Sequence, residues 1–189
     1  KNFNLSVGDP REVTAQFVNS MDLNFGRDYQ GIKLPNDVVA INVCNYPGPQ
    51  DITSPDGRPI EIGQETQADT NLSIENMRRG IGKIVCVAMD YSAIPNVNGG
   101  NPFVKFYIFG PSENLLLSLS LDGRREKFMP GVCVGCHGGD NYGGKFPEDG
   151  SGRANIGSYF LPFDVANFAF STSDPTLTRD KLLGPLRQL

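Results

Sequence analysis

Apolar residues along this chain fall mostly into short stretches, near-continuous or alternating, the marks of strands with both faces or one face buried. Val38-Val39-Ala40-Ile41-Asn42-Val43-Cys44 and Ile84-Val85-Cys86-Val87-Ala88-Met89 predict strands within residues 37–44 and 83–91. Phe103 to Phe109 alternates around Lys105, and Leu115 to Leu121 alternates leucine with serine. Gly110-Pro111-Ser112-Glu113-Asn114 between them predicts a turn, so the two stretches form a hairpin. Helical signals are fewer. Asp9-Pro10-Arg11-Glu12 has the chemistry of a helix start, and Val13, Phe17 and Met21 then recur every four residues. Short helices are also predicted at Ser73–Arg79, stopped by Gly80, and after Asp174-Pro175. Two long stretches, Tyr46–Gly63 and Gly138–Gly157, are rich in turn residues. The expected fold is α+β and strand-rich, with short helices and long Gly/Pro-rich loops, and residues 1–189 are read as a single domain.

Composition supports this reading. The chain has 22 glycines and 14 prolines in 189 residues, well above the usual ~12% for the two together; long helices are disfavoured. Hydrophobic residues at 39% suffice for a core, and the formal net charge of −4 argues against a dedicated nucleic-acid binder. No apolar run approaches the ~20 residues of a membrane span. The chain opens Lys1-Asn2-Phe3-Asn4 without a signal peptide, as a secreted protein would after signal removal. It closes at Leu189 inside a helical pattern, which would also fit a fragment of a longer protein.

The cysteines carry the most specific signal. There are four, Cys44, Cys86, Cys133 and Cys136, and the sole histidine is His137. Cys133-Val134-Gly135-Cys136-His137 is C-x-x-C-H, the attachment sequence for c-type haem. The spacing suits that chemistry: two thiols add to the two vinyl groups along one porphyrin edge, and the histidine directly after supplies an axial imidazole. Small residues at Val134 and Gly135 let the backbone lie close to the ring, and Gly138-Gly139 free the chain after the ligand. Competing readings are weaker. A zinc site needs four ligands, and the other cysteines are distant. A thioredoxin-like C-x-x-C opens a helix, which Gly138-Gly139 discourage. A Cys133–Cys136 disulfide remains the plain structural alternative.

On these residues the stretch from about Lys127 to Gly139 (KFMPGVCVGCHGG) resembles a c-type cytochrome. It is also similar to bacterial cytochrome-like proteins that carry CHGG and, some twenty residues later, a segment like Phe160-Leu161-Pro162-Phe163-Asp164. The resemblance implies one covalent haem c per chain, bound by a segment spanning about residues 122–170, and maturation outside the cytoplasm. Two features depart from familiar types. The motif sits late in the chain with no methionine after it, unlike small class I cytochromes, and the glycine content forbids a four-helix bundle. In an oxidising compartment Cys44 and Cys86 are expected to pair, closing a 42-residue separation and stabilising by about 4 kcal/mol; two buried free thiols are the alternative.

The sixth iron position has no histidine available. Met77 and Met129 are the candidate ligands, against core filling as the ordinary role of methionine; Met89 fits a core strand better. A lysine, a tyrosine, the N-terminal amine, a neighbouring subunit or an open five-coordinate iron are the alternatives. Phe128, Phe160 and Phe163, with Phe168 and Phe170, are candidates for the apolar wall around the ring. Pro130 would shape the approach to His137. Arg124, Arg125 and Lys127 would meet the propionates or dock an acidic partner; ordinary core and a solvated face are the competing readings. Asp140, Glu148 and Asp149 match no known calcium loop. The expected function is single-electron transfer with redox partner proteins in the periplasm or outside the cell. The alternatives are a haem enzyme or gas/peroxide sensor with an open sixth position, and a self-associating structural module that carries a haem.

Overall fold

The structure is a computed structural model that describes residues 11–121, 125–139 and 155–187. Its centre is a seven-stranded antiparallel sheet. In chain order the elements are β1 (Glu12–Asn19), β2 (Gly26–Lys33), β3 (Val39–Tyr46), α1 (Gln67–Arg78), β4 (Val85–Ser92), β5 (Phe103–Phe109), β6 (Leu115–Leu116), β7 (Ser118–Leu119), β8 (Lys127–Phe128), α2 (Gly131–His137), β9 (Phe168–Ala169) and α3 (Arg179–Leu186). The sheet order is β6-β5-β4-β3-β2-β1-β9, and β7 and β8 form a separate two-stranded ribbon. The strand-rich α+β expectation is met, and the predicted hairpin appears as β5 paired with β6 through Ile108 opposite Leu116.

The predicted first helix is instead β1. A spacing of four residues is a multiple of two as well as close to one helical turn, so Val13 and Phe17 suit either element. The β-branched stretch Glu12-Val13-Thr14-Ala15-Gln16-Phe17-Val18 settles on the sheet, where Glu12 to Val18 pair in register with Ile32 to Gly26 of β2. The Asp9-Pro10 start signal lies outside the described residues. Near the C-terminus, Asp174 caps a turn through the Thr176 amide at 2.8 Å, and α3 begins later, after Thr178.

Both faces of the sheet are covered. Phe17 and Val18 are adjacent and both buried, so they point to opposite faces. On one face Val18 and Tyr46 pack against Ile74 and Met77 of α1. On the other, Ala15, Phe17, Tyr29 and Ile41 pack against Phe170 and the α3 residues Leu182 and Leu186. The expected disulfide is present: Cys44 and Cys86 face each other across β3 and β4 and are bonded. It lies on the α1 face, since Cys44 is three residues from Ile41.

Helix α1 starts several residues earlier than expected, because Thr66 and Asp69 form a capping box. Asp69 is fully buried. It accepts hydrogen bonds from the Thr66 amide at 2.9 Å, from the Ser54 hydroxyl at 2.7 Å, and from Arg58. Burial alone would raise its carboxyl, but these donors and the Arg58 charge outweigh that and hold it down, from 3.8 to about 2.

Two stability predictions follow from these contacts. Replacing Cys44 and Cys86 with serine should lower unfolding stability by about 2–4 kcal/mol, read from denaturant midpoints; a change below ~1 kcal/mol would mean the bridge adds nothing to a pairing that β3 and β4 already make. For Asp69 the folded carboxyl titrates below its unfolded value. Its contribution is therefore complete above pH ~4 and is lost as the pH falls toward 2. Asp69→Asn should cost about 1–3 kcal/mol at pH 7, with the variant and wild-type stability curves converging near pH 2. Parallel curves across that range would refute the assignment.

Candidate functional site

The C-x-x-C-H residues sit on α2, which the Pro130 carbonyl initiates by accepting the amides of Cys133 and Val134 at 2.9 and 3.1 Å. Cys133, Cys136 and His137 are spaced i, i+3 and i+4, so the helix turns all three to one side. Cys133 is buried against Val85 and Ile108, Cys136 is exposed, and neither is in a disulfide. Gly138-Gly139 do not prevent this helix; they end it. Gly138 donates its amide to the Val134 carbonyl at 3.0 Å, and both glycines take positive φ, at 66° and 100°.

The glycines also let residues 155–160 lie directly on the end of α2. The Ser158 hydroxyl donates to the Gly138 carbonyl at 2.7 Å, and the Tyr159 amide donates to the His137 carbonyl at 3.1 Å. In return His137 Nδ1 lies 3.0 Å from the Tyr159 carbonyl. That carbonyl can only accept, so the bond places the ring proton on Nδ1 and leaves Nε2 with its lone pair free. A Cβ on Gly138 would stand 2.5 Å from the Tyr159 ring, and one on Gly139 would stand 2.2 Å from the Ile156 carbonyl oxygen.

All three motif side chains line a cavity of about 440 Å³ on the α3 face of the sheet, a volume typical of cofactor sites. Its floor is Ile41, Val43, Val87 and Met89, alternate residues of β3 and β4. The His137 ring packs on Phe106 of β5, with centroids 4.9 Å apart. The opposite wall is aromatic: Phe17 stacks on Phe168 at 4.0 Å, and Tyr29 meets Phe163 edge-on at 5.1 Å.

Polar groups gather at one end. Arg27 pairs with Asp22 at 2.6 Å, donates to Asn45, and lies 5.6 Å from the Phe25 ring centroid. Burial lowers the Arg27 pKa, partly offset by Asp22. Burial pushes the Cys133 thiol up to about 12, and Cys136 upward as well, with the Asp22 charge adding to the rise and Arg27 opposing it. Burial lowers the His137 imidazole, while the bond to Tyr159 and the Asp22 charge oppose the change. At neutral pH the site presents two thiols and a neutral imidazole. Among the described residues no three His, Cys, Asp or Glu side chains converge as a metal-holding cluster.

The remaining candidates divide. Phe160 and Phe163 line the cavity, as does Phe168, while Phe170 is buried in the core behind it. Phe128 does not: it is 68% exposed on the β7–β8 ribbon. Arg125 and Lys127 are exposed and do not line the cavity, and Arg124, Asp140, Glu148 and Asp149 lie outside the described residues. Met77 is a correction. It is buried beneath α1 on the far face, with the sheet between it and His137. Met129 accepts from the Cys133 thiol at 3.5 Å on the α2 side, outside the cavity lining. Sequence reasoning missed Arg27, Asp22, Tyr29 and the floor. For Arg27, Tyr29 and the floor the signal was the period-two side of each strand, unreadable until β1 was a strand and the register was known; Asp22 lies in the turn between β1 and β2.

These residues suit the haem that the motif implies. The chain offers two free thiols beside an imidazole whose Nδ1 is engaged and whose Nε2 is free, facing an apolar cavity of the size typical of ligand sites. Comparison with protein-family models, curated proteins and solved structures finds no match. What the fold defines is a seven-stranded antiparallel α+β protein with a cavity on one face.

The glycine pair gives a direct test. Gly139→Ala combines an unfavourable φ with a backbone clash and should cost roughly 1–3 kcal/mol. It should lift residues 155–160 from α2, seen as lost hydrogen-exchange protection at the Tyr159 amide. Unchanged protection in a folded variant would show that the close approach does not hold this segment.

Proposed function

We propose that this chain is a monohaem c-type cytochrome domain that exchanges single electrons with partner proteins outside the cytoplasm. One observation carries the reading: Cys133, Cys136 and His137 share one side of a short helix facing an apolar cavity, and Tyr159 holds the His137 ring so that Nε2 is the free nitrogen. In this reading Cys133 and Cys136 would hold the porphyrin covalently through their sulfurs, and His137 would bind its iron. Phe160, Phe163 and Phe168 with the floor residues exclude water. The haem, when bound, supplies the one-electron chemistry. The protein supplies a neutral imidazole made more basic by its carbonyl partner and a low-dielectric enclosure.

Cys136 is exposed, which would leave the attached edge near the surface, where a redox partner can approach. The Cys44–Cys86 disulfide is compatible with an oxidising compartment, and among the described residues no helix is long and apolar enough to cross a membrane.

Expression in a host that matures c-type cytochromes tests the assignment. The intact mass should exceed that of the polypeptide by one haem, and the pyridine haemochrome spectrum should be that of two thioethers. Cys136→Ala should shift that spectrum toward one thioether, and the Cys133/Cys136 double alanine variant should carry no covalent haem. A wild-type mass equal to the bare polypeptide would refute the reading.

A further inference from the structure

The cavity opens to solvent, and its rim is apolar. Among the described residues, those that line the cavity and are also exposed are Met21, Leu23, Cys136, Leu161, Pro162 and Asp164. Only Asp164 in this set is charged. Met21 is 74% exposed. Met21 and Leu23 stand on the turn between β1 and β2, and residues 161–164 follow the Tyr159 contact with His137. Large apolar side chains gathered in water around a cavity mouth mark a surface that a partner covers. The turn holds its two in place. Leu23 and Asn24 take φ of 58° and 51°, a region that leucine rarely enters. Asn24 is buried and donates to Glu65 at 2.8 Å, and Arg27 donates to the Asp22 carbonyl at 3.1 Å. Glycine or asparagine at position 23 would fold at lower conformational cost, so the leucine points to a role on the surface.

Charge narrows the choice of partner. The charged residues lining the cavity are Asp22, Arg27 and Asp164. The Arg27 side chain is 14% exposed against 45% for that of Asp22, and Asp164 is exposed. The cation is therefore turned inward and the carboxylates outward. The exposed bases Arg125 and Lys127 do not line the cavity. The whole chain carries a formal net charge of −4. A second copy would set carboxylates against carboxylates across the contact, and an anionic lipid surface would be repelled in the same way. A protein with basic residues around an apolar centre matches both the rim and its charges.

Resting on the haem reading above, we propose that this rim is the docking surface for the domain's electron-transfer partner, a protein that presents a cationic patch around an apolar centre. Met21, Leu23 and Leu161 make the apolar contact, and Asp164 and Asp22 steer the approach. Transient redox pairs bury little surface, which suits a contact confined to the mouth of one cavity.

The test uses the haem-loaded protein, with covalent attachment first established by mass; a protein without haem overturns both readings. The reduced protein is mixed by stopped flow with an oxidised basic c-type cytochrome, either native or with its lysines succinylated to reverse its charge. At low ionic strength the native probe should react at least about 10-fold faster, and added salt should shrink the difference. Asp164→Asn should slow the native probe roughly 2- to 5-fold. Glu75→Gln, which removes an exposed carboxylate from α1 on the other face of the sheet, should leave the rate unchanged. At high salt, Met21→Ser and Leu161→Ser should each slow the reaction roughly 3- to 10-fold. Equal rates with the two probes, or equal effects of Asp164→Asn and Glu75→Gln, would overturn the proposal and leave the haem reading intact. Serine variants that alter the haem spectrum without slowing the probe would also overturn it, because the rim would then serve only the cavity's occupant. So would a dimer in sedimentation that Leu161→Ser dissociates, which would assign the rim to a second copy.

Discussion

An antiparallel sheet seven strands wide must bury the apolar residues on both of its faces, and the two faces meet that requirement differently. Under α1 the packing is self-sufficient: Val18, Tyr46, Ile74 and Met77 close on one another, and the Cys44–Cys86 bond ties the neighbouring strands. The opposite face is covered at its edges, by α3 and Phe170 over β1 and β2 and by α2 over β4 and β5. Between those covers Ile41, Val43, Val87 and Met89 line a cavity. Four apolar side chains around such a space lose contacts that a well-packed core would supply. An apolar occupant of matching shape, such as the proposed haem, would restore them.

The second constraint is local. Helix α2 is too short to set the orientation of His137 by itself, and its last turn is fixed from outside by residues 155–160. That contact demands two consecutive residues without Cβ atoms, in backbone conformations other residues avoid. Gly138-Gly139 thus do more than release the chain after the motif. They permit the Tyr159 carbonyl to reach Nδ1, and that bond selects the tautomer that leaves Nε2 available.

Much of this was legible from residue order, and the part that was not has a physical explanation. The central strands and the motif depend on local chemistry or strong apolar patterning and could be read directly, whereas the Cys44–Cys86 pairing was an expectation from the oxidising compartment that the resemblance implies. Val13 and Phe17 could not assign their own element, because a four-residue repeat serves a helix and a strand alike. Met77 was a candidate ligand, but α1 turns it inward while Arg78 and Arg79 beside it stay outside. Phe128 is close to Cys133 in sequence, yet the β7–β8 ribbon carries it to the surface. Proximity along the chain marked Cys133, Cys136 and His137 as candidates; the cavity walls come from β1, β2 and residues 160–168, which only the folded sheet brings together.

The charges near the motif reinforce the apolar character of the cavity. Arg27 and Asp22 act on Cys136 and His137 in opposite directions, one favouring the proton's departure and the other its retention. The two ions are paired at 2.6 Å and oppose each other at both groups, and desolvation is the leading influence on each. A buried arginine without Asp22 would impose a net positive field on anything bound at His137, and Asp22 without Arg27 a negative one. Burial favours the uncharged form of both thiols and of the imidazole, so the enclosure and the Tyr159 carbonyl would be the main levers the protein has over a group proposed to bind in this cavity.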